Sequence, residues 1–389
     1  MQMVLWIMTT GSDGGHRRAT IRDVARRAGV TPSTVSRILN NRELAFPIAE
    51  HTRKRVIEAV KELGYRPNRL ARSLAMSKTH VIGMYFPITE PSGQLEHREV
   101  TWLSFGAMVS GVQHITQMRG YEVHIFNRVE HDYGHPNAPK DICPDFIDGL
   151  IYVEPNQHYD FYTELVAAGV PLVTMGPSPV HPAGFSVSPD DCQDFYVLTK
   201  ALIAKGHHRI ACFICHPNDP PLETLLRRQG YRTALDEAEI PYDPALMPTE
   251  RLGQTPTKAL VERLFDLWPR PTAMIIGRPE VAHYFIECLH ERGLVCPRDL
   301  ELIVIGDDPI FPYLSPSLTA LRYPYVRAGE EAARLVLDIV EGKVKDPVKV
   351  VIPWQYNERE SCQLGESFIK YLVQDSTPEL RKEVAIKIS

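Results

Sequence analysis

Ser33, Thr34 and Arg37 sit within five positions of one another and alternate with the apolar residues Val35, Ile38 and Leu39. On a helix that spacing buries the apolar set and turns two hydroxyls and a guanidinium outward. Such a face can donate to and accept from base edges in a DNA major groove. Pro32, just ahead of them, has no side-chain donor and offers only shape or methyl contact.

Two short helices must hold that face in place. Thr20 stands three residues before Asp23, the spacing of a capping box, so a first helix is expected from Ile21. Val24, Ala25 and Ala28 give it a small apolar side, and Gly29 suits the positive φ at which such helices end. Thr31 then caps a second helix whose first position is Pro32, where a missing N–H does no harm. Helix, short turn, helix is a DNA-binding unit, although plain helical hairpins share the pattern. Charge separates the two readings. Residues 16–78 carry 15 Lys/Arg against 5 Asp/Glu, a net of +10, while the whole chain is at −5. A basic front attached to an acidic remainder is the footprint of a phosphate-binding module on a body that avoids DNA.

Thr20-Ile-Arg-Asp-Val-Ala-Arg-Arg-Ala-Gly-Val, Ser33-Thr-Val-Ser-Arg-Ile-Leu-Asn, Thr52-Arg-Lys-Arg-Val and Gly64-Tyr-Arg-Pro-Asn-Arg-Leu-Ala-Arg-Ser-Leu74 resemble, in order and spacing, the DNA-binding head of the LacI/GalR family of bacterial transcription regulators. A looser resemblance continues to about residue 364. It implies DNA contacts at Thr20, Thr31, Pro32, Ser33, Thr34, Ser36, Arg37 and Asn40. It also implies a hinge helix, too short to stand alone in water, that orders in the minor groove through Asn68, Arg69, Ala71 and the wedge Leu74. The chain departs from the pattern in a long loop, Arg42 to Ala49, and in Ala49 itself, which replaces the usual serine cap of a third helix. That helix is expected to turn Val56, Ile57, Val60 and Leu63 inward and to close at Gly64.

From Thr79 onward apolar strand-like runs alternate with helical stretches, as in a parallel sheet covered on both faces. The strand-like runs begin at Val81, Glu122, Gly149, Val170, Arg209, Thr272 and Leu302, and a last long helix runs from Ala328 to Glu341. Two such series make two lobes, and ligands of open α/β lobes bind at the carboxyl ends of strands. The fold expected is an N-terminal all-α helix-turn-helix domain plus a two-lobed α/β domain resembling periplasmic binding proteins. By the same resemblance Arg227, three residues before Gly230-Tyr231, is where the family places an effector-binding arginine. Asp307 and Asp308 follow a strand at the position of the family's ligand aspartate, without its usual aromatic, so either carboxylate qualifies. Arg278 replaces a polar pair common in the family, and it either contacts ligand or braces a loop. Tyr85 and Phe86 end the first strand, where an aromatic face can stack on a sugar or base, although core packing of at least one of them is the simpler expectation.

The implied divisions are 1–19, a disordered extension; 20–65, the head; 66–78, the hinge; 79–364, the effector and dimerisation body; and 365–389, a tail. Within the body, one lobe takes about 79–189 and 316–343, the other about 190–315 and 344–364. Seven cysteines at irregular spacing form no disulfide framework and suit a reducing cytoplasm. Cys212 and Cys215 lie in a strand-like run that points them to opposite faces, which argues against redox or metal use. The apolar start, Met1 to Met8, is too short to span a bilayer. No cofactor, metal or membrane partner is implied. A P-loop, a nucleophile elbow and a secretion signal are absent, which weakens the rival readings of an enzyme or a solute-binding protein. The expected partners are a palindromic double-stranded operator, a small-molecule effector of carbohydrate type, and a second copy of the chain.

Overall fold

The computed structural model describes residues 19–39, 48–65, 78–88, 96–129, 146–153, 159–176, 184–214, 222–248, 257–365 and 368. Asn40, the hinge residues Asn68, Arg69, Ala71 and Leu74, Cys215, the N-terminal extension and nearly all of the tail lie outside them. The chain divides into two compact units, residues 1–79 and 80–389.

The first unit holds α1 (Ile21–Ala28), α2 (Pro32–Leu39) and α3 (Glu50–Glu62). Its core is Val24, Ala25, Ala28, Val35, Ile38, Val56 and Ala59, ringed by Ile21, Val30, Leu39, Ile48, Val60 and Tyr65. Ile57 and Leu63, expected inside, are 40% and 37% exposed. Ile57 is one position, about 100°, off the stripe that Val56, Ala59 and Val60 share, so the smaller Ala59 takes the inner place. Ala49 leaves α3 without a side-chain cap.

The second unit contains two sheets. The first has the order β10-β5-β4-β3-β1-β2 and the second β11-β9-β8-β7-β6. Their strands are β1 (Val81–Ile88), β2 (Glu122–Val129), β3 (Gly149–Val153), β4 (Leu172–Met175), β5 (Ser186–Ser188), β6 (Ile210–Phe213), β7 (Ala273–Ile276), β8 (Glu301–Ile305), β9 (Thr319–Arg322), β10 (Lys349–Val351) and β11 (Gln355–Asn357). Among the described strands every pairing is parallel except β9 with β11. Parallel strands need helical crossovers, supplied by α4 (Glu96–Met118), α5 (Tyr159–Ala167), α6 (Asp191–Ala204), α7 (Leu222–Glu237), α8 (Thr257–Phe265), α9 (Ala282–Glu291) and α10 (Tyr325–Val340). Strands covered on both sides read as apolar runs, which is why β3, β4, β6 and β7 are buried along their whole lengths.

Two glycines set how closely the helices pack. A Cβ on Gly111 of α4 would fall on the Val326 carbonyl of α10, and one on Gly329 of α10 on the Met108 carbonyl of α4. The two backbones therefore touch directly.

The chain passes between the sheets three times. It leaves the first sheet after β5, returns between β9 and α10, and leaves again between β10 and β11. Thr319–Arg322 thus pairs in the second sheet and Lys349–Val351 in the first. The lobe divisions expected near 316 and 344 fall instead at residues 323–325 and 352–354, because β9 completes the sheet of β8 before the chain turns back. Helix α8 and the short strands β5, β9, β10 and β11 add to the elements read from the sequence.

Candidate nucleic-acid interface and effector site

In the head, local hydrogen bonds build the outward face. Thr20 Oγ1 accepts from the Asp23 N–H at 3.3 Å, and the Thr20 N–H donates to Asp23 Oδ2 at 3.0 Å, so the capping box is closed. The Thr20 hydroxyl also reaches Asp23 Oδ2 at 2.7 Å, so it serves α1 first. Gly29 follows at φ 65°, the left-handed turn that aims the next helix. Thr31 Oγ1 accepts from the Thr34 N–H at 3.2 Å and lies 2.8 Å from Ser33 Oγ and 2.9 Å from Thr34 Oγ1. Three hydroxyls are thereby gathered at the start of α2, with Thr31, Pro32 and Ser33 exposed. Thr34, Ser36 and Arg37 are half-buried along the same helix, while Val35 and Ile38 face the core. Arg22, Arg26 and Arg27 stand exposed on α1, and Arg27 pairs with Glu62 of α3 at 2.7 Å.

In the body, the six expected effector residues separate into three kinds. Tyr85 and Phe86 are core residues, 1% and 4% exposed. Tyr85 packs edge-on to Tyr152 at 5.0 Å, and Phe86 lies 4.5 Å from Phe105, so neither offers an open ring to a ligand. Strand β1 runs on to Ile88, past the point where an exposed end was expected.

The arginines are each matched to a carboxylate. Arg227 Nε donates to Asp191 Oδ1 at 2.8 Å, with its guanidinium 5.5 Å from the Phe195 ring. Burial disfavours the charged guanidinium, but Asp191 and Glu223 outweigh it and hold Arg227 charged. Arg278, at the carboxyl end of β7, pairs with Glu280 in the short 3-10 turn Pro279–Val281.

The two aspartates have different duties. Asp307 takes a bidentate fork from Arg359 at 2.8 and 2.9 Å and a further hydrogen bond from Asn357 at 2.6 Å. Asp308 Oδ1 accepts from the Ile310 N–H at 2.9 Å, a local turn contact that leaves its other oxygen uncommitted to the protein among the bonds described. Sequence reading did not identify Asp191, Glu280 or Asn357. Arg359 falls within the looser family resemblance that continues to about residue 364, but nothing in that stretch marked it as the partner of Asp307.

Cys212 is fully buried in β6. Among the described residues no cluster of His, Cys, Asp or Glu could hold a metal ion, and no helix is long and apolar enough to cross a membrane. Two open hollows, of about 580 and 470 Å³, lie beside Tyr242 and Tyr121 and include none of the expected effector residues.

The model of bacterial regulatory proteins of the lacI family matches residues 20–68, and that of a periplasmic binding protein-like domain matches residues 199–362. The chain is 29% identical over 345 residues to catabolite control protein A of Priestia megaterium, spanning 88% of this chain and 99% of that protein. The solved complex of the transcriptional regulator CelR with cellobiose is 27% identical with a TM-score of 0.63, over 89% of this chain and 100% of that one. The lac repressor dimer bound to operator and the anti-inducer ONPF has a TM-score of 0.72 at 22% identity, over 89% and 99%, a likeness of fold. With a doubly capped helix-turn-helix ahead of two α/β sheets, this chain belongs to the LacI/GalR family of DNA-binding transcription regulators with an effector domain.

Proposed function

We propose that two copies of this chain bind a palindromic operator and repress transcription by occupying it, under the control of an uncharged, carbohydrate-like effector. The observation that carries the DNA half is α2, whose first turn collects the Thr31, Ser33 and Thr34 hydroxyls ahead of Arg37 on a strongly basic unit. Lysines and arginines around it position the head on phosphates, and Ser33, Thr34 and Arg37 read base edges. Residues 66–78, with Leu74 as wedge, act as the hinge between head and body.

Pairing of two copies is supported by α4. Its exposed positions include Leu103 at 62% and Met118 at 74%, and no Asp, Glu, Lys or Arg occurs from Leu103 to Met118. A solvent-facing stripe without charge over four turns suits burial against another protein surface better than water. Two heads on one assembly then match a two-fold operator.

Charge matching supports the effector class. Arg227 with Asp191, Arg278 with Glu280, and Arg359 with Asp307 leave no uncompensated guanidinium among the candidates. Pairs of this kind offer both donors and acceptors, as vicinal hydroxyls require, without favouring an anion. The CelR structure holds cellobiose, which fits the same class. Two experiments test the reading. Selection from a random duplex pool should return a palindrome. A thermal-shift panel of neutral sugars, sugar phosphates and nucleosides should respond to a neutral sugar, a ligand at about 100 times its Kd adding roughly 2.7 kcal/mol. Recovery of no symmetric sequence, or stabilisation by anionic ligands alone, would count against the respective half.

A further inference from the structure

One carboxyl group lies where all three passages between the sheets meet. The first passage runs from β5 past Asp190 and Asp191, the second from β9 past Tyr323 and Tyr325, and the third from β10, which begins at Lys349, past Trp354. Asp194, in the first turn of α6, is 8% exposed, and its Oδ2 is buried with no hydrogen-bond partner among the described residues. The hydroxyl of Ser188, at the end of β5, is buried and unpartnered in the same way.

The charged and titratable groups facing Asp194 make ionisation costly. Its own helix start contributes Asp190, Asp191 and Cys192, α7 contributes Arg227, β10 contributes Lys349, and the second passage contributes Tyr323. Tyr325 lies beside Tyr323 at 5.1 Å. Arg227 is taken by Asp191 at 2.8 Å, and Lys349 is exposed. An ionised Asp194 would therefore sit in an apolar surround beside two other carboxylates, with no donor on its buried oxygen. Burial, then Asp191 and Asp190, push its carboxyl well above the usual carboxylate range.

We propose that Asp194 is a proton-carrying latch of the hinge: it keeps its proton in the lobe arrangement described here and releases it to solvent when the passages shift and water reaches it. Lobe rearrangement, and with it the response to effector, is then coupled to pH. This rests on the reading of the body as a two-lobed effector domain, and its failure would leave that reading in place.

Trp354 provides the reporter, since its ring lies 5.3 Å from that of Tyr323 and it is 8% exposed. Titrating the tryptophan emission of the full-length protein from acid to alkaline pH should give one step that a Trp354→Phe variant lacks. Asp194→Asn should abolish the step and hold the low-pH emission throughout. Infrared spectra at neutral pH should show a protonated-carboxyl band that Asp194→Asn removes. Should that variant not fold, Lys349→Ala keeps the test open, because losing the exposed cation moves both the step and the band's disappearance to higher pH. Absence of the band at neutral pH, a step that survives Asp194→Asn, or a step that Lys349→Ala leaves in place would overturn the proposal. Operator selection and the neutral-sugar panel, run on the same variants, report separately on the function proposed above.

Discussion

Arg359 grips Asp307 with both of its terminal nitrogens, 52 positions apart in sequence, and the two side chains are only 15% and 10% exposed. The pair, joined by Asn357, ties the antiparallel edge strand β11 to the end of β8. Asp307 is therefore a brace, and on the proposed reading of the body Asp308 is the carboxylate left to meet an effector. Removing one partner of a largely buried pair leaves the other uncompensated, at a cost of about 3 kcal/mol. Asp307→Ala should lower the urea midpoint of the body accordingly. Asp308→Asn should cost less than about 1 kcal/mol, since only a turn contact weakens, while reducing the calorimetric affinity for the neutral sugar that the panel identifies. Equal destabilisation by both would contradict this division.

Glu301 makes a second prediction, in pH. Burial alone would raise its carboxyl, but hydrogen bonds with His207, Lys205 and Cys362 bring it down to about 2. Lys205 Nζ lies 2.6 Å from Glu301 Oε2, and the Cys362 thiol donates to the same oxygen at 3.1 Å. In the unfolded chain a glutamate takes up its proton near pH 4.3. A depressed folded value means that the unfolded chain binds the extra proton in between, so the contribution is complete above about pH 5 and drains away as pH falls towards 2. At roughly 1.4 kcal/mol per pH unit it amounts to about 3 kcal/mol at neutral pH. Glu301→Gln should remove it, so the gap between wild type and variant in chemical unfolding should close progressively in acid. A gap independent of pH would show that packing, not charge, is what Glu301 supplies.

What the sequence revealed about these sites depended on range. The capping box at Thr20 and Asp23, the left-handed Gly29 and the Thr31-Pro32 start of α2 are local features formed within four residues of chain, and each was legible before folding. Arg227 and Asp307 were marked by position, but their partners lie 36 and 52 residues away, and only closure of the fold brings them together. Tyr85 and Phe86 misled for a related reason. An apolar strand end reads the same whether it is open or covered, and here Tyr152 covers one ring and Phe105 the other. Strand β9 went unseen because its four residues owe their conformation to pairing with β8 and β11.

The uncapped third helix of the head makes a stabilising substitution available. Ala49 has φ −56° and ψ 138°, a non-helical start, yet its own side chain offers no acceptor to the first-turn N–H groups of α3. A serine hydroxyl there would accept from them, so Ala49→Ser should raise the stability of the head by about 1 kcal/mol. Thermal unfolding followed by helical circular dichroism on the full chain, resolved for the head transition, checks it. No gain would mean that water already serves those donors as well as a hydroxyl does.

Thr31, at the cap of α2, and Ser33 and Arg37, on α2, stand close together but should fail differently when truncated. Thr31 Oγ1 accepts from the Thr34 N–H, so Thr31→Ala weakens the helix that carries the reading face. Its loss, about 1 kcal/mol, should lower affinity for every duplex alike. On the proposed reading, Arg37 presents a fork to a guanine edge in the major groove when the helix docks there. Arg37→Ala should cost about 1–3 kcal/mol on the selected palindrome and much less on unrelated DNA, flattening the preference at one base pair of each half-site. Ser33→Ala should act in the same selective way but more weakly, a single neutral hydrogen bond contributing about 1 kcal/mol. Titrations of all three variants against the palindrome and a scrambled duplex, repeated at two salt concentrations, separate the cases. Arg37 also carries charge, so its loss reduces the salt slope by close to one counterion if it lies on a phosphate instead. A reduced slope with unchanged sequence preference would move Arg37 from base edge to backbone, and the reading face of α2 would then reduce to its gathered hydroxyls.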